Sequence, residues 1–203
     1  FRRVLFRSGH DIYLKKFIKK TANCEVGKAM IMAYFKDMYK VHKIKLNKQL
    51  TKIRGEIEYD ELFKKTDYSK DSMRKQLIVK MAGQAAMTIH NGKSIKAIEM
   101  SEDFREAKDI VTSMIKNNNI VVKADICLDL YYNEYKESAK LFEDNMKKRL
   151  DYFASLVVNE AYSEALYLLL FFKDKMNILT NELISKNEIN SDFLYIYAEI
   201  EPV

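Results

Sequence analysis

The stretch "NCEVGKAM", residues 23–30, carries the sharpest chemical signal in the chain. A helix bearing His-Glu-x-x-His sets two imidazoles at i and i+4 on one face, where they bind Zn²⁺. The intervening Glu then acts as general base on the metal-bound water. Here those positions hold Cys24, Glu25 and Lys28. Glu25 keeps the position of the base. Cys24 has two readings, a thiolate ligand in place of the first histidine or a small buried residue. Lys28 is an ammonium with donors and no lone pair, and it ligates a metal only after losing a proton from a pKa of about 10.4.

The three histidines do not repair this set. His42 falls in a strand-like segment, His90 at a helix end and His10 near the N-terminus, and each reads as a surface or structural residue. Cys24 and Cys127 lie far apart and form no disulfide framework, so an intracellular protein is expected. No GxxxxGK[ST] phosphate loop occurs, and no ATP site is expected in this stretch.

The formal charge is +6 over 203 residues. Residues 1–8, "FRRVLFRS", match the translation of a sequencing-library adapter and are expected to be foreign to the fold. Removing Arg2, Arg3 and Arg7 from the 35 basic residues leaves 32 against 29 acidic, or +3. That balance does not point to nucleic acid. The longest strongly apolar run, "ALYLLLFF" at 165–172, falls short of the ~20 apolar residues a membrane span needs.

The elements that must position Cys24, Glu25 and Lys28 follow from periodicity. One proline and five glycines favour long helices, and a mainly α domain with a small β element is expected. Residues 11–36 read as a helix. "VHKIKL" at 41–46 and "TKIRGEIEY" at 51–59 alternate like the strands of a hairpin. A helix starts at Ser69, carries Met73, Leu77, Ile78, Met81 and Ala85 on one face, and stops at Asn91-Gly92. Ser101 reads as an N-cap with Glu102 and Asp103 in the first turn. "IVVKADICLDLYY", from 120, fits a strand or a helix. The C-terminal third steps through Leu150, Phe153, Val157, Ala161, Ala165, Leu168 and Phe172 as one apolar face. Met176, Leu179 and Leu183 follow a polar break at "KDK".

The order of these pieces resembles the C-terminal peptidase domain of the FtsH family, the membrane-anchored AAA+ zinc proteases. "NCEVGKAM" stands where the family has His-Glu-Ala-Gly-His. "VHKIKL" matches the strand after the zinc helix, and "RKQLIVKMAGQAA" at 74–86 matches a helix ending in Gly-Gly/Arg-Ala-Ala. "MSEDFREAKDIVTSMI" at 100–115 resembles the segment that supplies the third zinc ligand, which lands on Asp103. Residues 159–194 are close to the terminal helices. The resemblance covers residues 9–203, with the zinc-helix region at 11–36, the β element at 41–59, the Asp-ligand helix at 101–117 and the C-terminal helices at 145–198.

This resemblance implies a metalloendopeptidase whose zinc ligands are largely lost. Cys24 and Asp103 make two protein ligands, too few for a tight catalytic zinc. Lys28 is expected to pair with Glu25 and to offset the repulsion between Glu25 and Asp103. It should also leave Glu25 a poor base. Weak activity or a pseudopeptidase scaffold is expected, in a homo- or hetero-hexamer with FtsH-like subunits. Unfolded or membrane proteins would be the substrates, at the cytoplasmic face of a membrane if the intact protein carries the family's anchor. The family's ATPase module and transmembrane helices do not occur in this stretch; loss at the adapter junction is expected, with a genuinely shorter gene as the alternative. The competing expectation is an unrelated helical interaction domain.

Overall fold

A computed structural model describes residues 2–49, 53–63, 69–92, 101–118 and 139–198. The order is α1 (Arg2–Tyr34), β1 (Tyr39–Lys48), β2 (Ile53–Glu61), α2 (Lys70–Asn91), α3 (Glu102–Asn118), α4 (Ala139–Phe171), α5 (Lys173–Lys186), β3 (Glu188–Asn190) and α6 (Ser191–Ala198). The class is mainly α with a small sheet. "IVVKADICLDLYY" and Cys127 lie outside the described residues.

The sheet follows from the alternation in β1. Tyr39, Val41, Ile44 and Leu46 turn inward, and a bulge between Val41 and Lys43 corrects the phase. The outward residues of β1 are basic and those of its neighbours acidic. His42 meets Asp60 at 2.8 Å, Lys43 meets Glu188 at 3.0 Å, and Lys45 meets Glu58. Charge and apolar pattern therefore favour one register. The strand order is β2-β1-β3, so the sheet is wider than the expected hairpin. β3 arrives from the far end of the chain, with Ile189 opposite Ile44.

Helix α2 has the limits its sequence announces. Ser69 Oγ accepts from Ser72 N, and Gly92 closes the helix at φ 62°. Leu77, Ile78, Met81, Ala82, Ala85 and Ala86 are buried against α1 and α4. A Cβ on Gly27 would lie 2.4 Å from that of Ala86, so α1 and α2 cross at close range.

The inward face of α4 is offset by one position from parts of the expected stripe. Ala161 and Ala165 are buried as expected, but Ala154, Val158 and Leu169 are buried in place of Phe153, Val157 and Leu168, and Tyr162 is buried with them. Small side chains let α4 sit close to α2, and the larger Phe153, Val157 and Leu168 flank the contact half-buried. Tyr162 Oη reaches Thr88 Oγ1 at 3.0 Å across that contact. The chain then bends by 83° at Phe172 into α5. Among the described residues no single helix is long and apolar enough to cross a membrane. Asn187 ends α5 at φ 64°, and its carbonyl accepts from Leu46 N at 2.8 Å, which ties the helix end to the sheet.

Candidate active site

Cys24, Glu25 and Lys28 lie on the inner half of α1, where the helix passes under β2 and beside α2. Two glycines make the room. A Cβ on Gly55 of β2 would lie 2.0 Å from Glu25 Cγ, so the strand runs directly over that carboxylate. A Cβ on Gly83 of α2 would lie 2.6 Å from both Cys24 Sγ and Lys28 Cε. A glycine inside a strand or helix pattern signals such a close approach.

Asp103 reaches the same place from the first turn of α3. Ser101 Oγ accepts from Phe104 N at 3.2 Å and caps that turn. Phe104, Ala107 and Val111 are buried, and Lys80–Glu106 and Lys108–Asp151 brace the helix on α2 and α4. The structure therefore brings together the four residues singled out from the sequence. It adds Gln84, whose Nε2 donates to Asp103 Oδ2 at 2.6 Å.

Lys28 Nζ lies 3.9 Å from Asp103 Oδ1. Asp103 is thus met on one oxygen by an amide and approached on the other by an ammonium. Lys28 and Glu25 act on each other through their charges, as expected, but among the described residues the salt bridge Lys28 forms runs across helices to Asp103. Burial works against the Lys28 charge, but Cys24, Asp103, Glu25 and Glu106 together outweigh it and hold the ammonium above its usual pKa. The expectation for Glu25 is also corrected. Burial pushes its carboxyl up, Lys28 pulls it down, and Asp103 adds to the rise. Burial dominates, so Glu25 is more basic than an exposed glutamate.

The donors do not fit a catalytic zinc. A firmly protonated lysine stands at the second histidine position, and Asp103 is engaged by Gln84 and Lys28. Among the described residues no group of three His, Cys, Asp or Glu is placed to hold a metal ion. His42 is on the outer face of the sheet, and His90 is in the last turn of α2.

Above Glu25 and Lys28 a cleft of about 470 Å³ opens between β2 and α2. Gly55, Ile57 and Tyr59 form one wall; Gln76, Val79 and Lys80 form the other. Among the described residues β2 is an edge strand of the sheet.

No curated protein matches the chain. The family model described as Peptidase family M41 matches residues 12–195. It represents the FtsH C-terminal peptidase domain, whose members are zinc-dependent and work as FtsH-like oligomers. A match of that length removes the alternative of an unrelated helical domain: the chain belongs to peptidase family M41.

Proposed function

We propose that this domain is a pseudopeptidase, an M41 fold that has kept its polypeptide cleft and given up its metal chemistry. The observation that carries this reading is the Lys28 ammonium beside Asp103. It supplies by a fixed cation part of the charge balance that a metal supplies elsewhere. Catalysis at an M41 site needs a Lewis acid to polarise the carbonyl and to generate hydroxide at neutral pH. Glu25 alone does neither.

The edge of β2 supports retention of polypeptide binding. An extended segment can add to an exposed sheet edge through main-chain hydrogen bonds and drop alternate side chains into the adjoining pocket. A segment laid along β2 would cross directly above Glu25 and Lys28. The domain then acts as a scaffold and substrate-handling part of a six-membered ring of FtsH-like subunits, identical or mixed. In the intact protein that ring would stand at the cytoplasmic face of a membrane and receive unfolded or membrane proteins.

Zinc stoichiometry of the purified chain tests this, with a Cys24→His/Lys28→His double variant alongside. The expected result is no zinc on the natural chain and one zinc per chain on the variant, held by the two imidazoles and Asp103. One tightly held zinc on the natural chain would overturn the reading and return proteolysis as the function.

A further inference from the structure

The cleft has an aromatic end. At ~3.3 Å per residue, Tyr59 stands roughly 13 Å along β2 from Gly55, and Glu61 lies further on. There Tyr39 meets Tyr59 edge-on with centroids 6.0 Å apart, and meets Phe63 edge-on at 5.5 Å. Tyr39 is buried and forms the floor. Tyr59 is 40% exposed, Phe63 is half-buried, and Glu61 is exposed beside them.

The charge of the cleft lining is opposite to that of the chain. Its two lysines, Lys28 and Lys80, are turned to Asp103 and Glu106. Of its three carboxylates, Glu25 sits in the field of Lys28 and Glu56 lies opposite Lys45 on β1, while Glu61 forms no salt bridge among the described residues. A positive side chain entering the cleft meets π faces and an uncompensated carboxylate. An acidic one meets repulsion.

We propose that the Tyr39–Tyr59–Phe63 end of the cleft, with Glu61 at its mouth, takes a basic side chain of an extended polypeptide laid along β2. The aliphatic stem of a lysine packs on Tyr59 and Phe63 while its ammonium reaches Glu61. An uncharged side chain of the same length gains the packing and leaves Glu61 without a counter-charge. This rests on the reading that the cleft binds polypeptide, and adds a preference to it.

The test is fluorescence anisotropy of the full chain with labelled ten-residue peptides of alternating Thr and Val at 0.15 M salt. One central position carries lysine, norleucine or glutamate. The lysine peptide is expected to bind roughly 5- to 10-fold tighter than the norleucine peptide, with glutamate weakest. Tyr59→Leu and Glu61→Gln, both at exposed positions, should each remove most of that ratio. Glu58→Gln, on the opposite face of β2, should leave it intact. Equal binding of lysine and norleucine peptides overturns the subsite and leaves the cleft reading standing. A Glu58→Gln loss equal to that of Glu61→Gln overturns it too, because the preference is then diffuse surface charge. Absence of binding by every peptide overturns both.

Discussion

Gln84 and Asp103, on different helices, share a 2.6 Å hydrogen bond between the amide Nε2 and carboxylate Oδ2. Gln84 is 6% exposed, so the bond is shielded and one partner is an anion. Gln84→Ala is expected to cost about 1–2 kcal/mol in urea unfolding. It should also loosen the first turn of α3, read as faster amide exchange at Phe104 and Arg105.

The Lys28→Met variant removes the cation and keeps the bulk. Glu25 and Asp103 then face each other without compensation, and a loss of about 1–3 kcal/mol at pH 7 is expected. The sign with pH is fixed by Glu25. Its folded-state pKa is already above the ordinary 4.5 of a glutamate, and losing Lys28 raises it further. The stability deficit should therefore shrink as pH falls from 7 towards 5 and Glu25 takes up a proton. Denaturation midpoints across that range check the slope.

Gly55→Ala forces its methyl into the space of Glu25 Cγ. The expected cost is about 1–3 kcal/mol. The double variant Gly55→Ala/Glu25→Ala should recover most of it, because the second change empties the contested volume. A double-mutant cycle with no coupling between the two positions would contradict the close approach of β2 to α1.

His90 sits in the last turn of α2 with Nε2 closed off from water and, among the described residues, without a hydrogen-bond partner. Burial lowers its pKa from 6.5, and Lys19 and Lys173 add to the effect. The folded state therefore binds the proton less readily than the unfolded state. Its contribution to stability is present above pH 6.5 and is lost as pH falls through the lower folded value. His90→Gln should flatten that part of the stability profile between pH 7.5 and 5, measured by thermal melting in matched buffers.

Much of this was legible in local pattern. Ser69 and Gly92 bound α2 because capping chemistry is local, and the inward residues of β1 alternate because a pleated strand has period two. The four site residues emerged from motif order. What escaped depends on distant partners. Glu188–Asn190 is a strand only because β1 offers it an edge. The buried line of α4 includes Ala154, Ala161 and Ala165, small residues that a reading by size and hydropathy weighs less than Phe153 or Leu168. Gln84 gives no signal in its helix, since its value lies in where α3 puts Asp103. The behaviour of Glu25 reversed because sequence spacing shows a neighbouring charge and not the depth of burial.

The third strand has a consequence for the order of assembly. During synthesis α1, the β1–β2 hairpin and α2 emerge early, and they hold most of the site. The amide of Leu46 and the partner edge beside Ile44 then wait until residues 187–190 leave the ribosome. For most of that interval β1 has an open, basic edge that an unrelated strand could occupy. The nascent site is thus laid out before the strand that locks its sheet has been made.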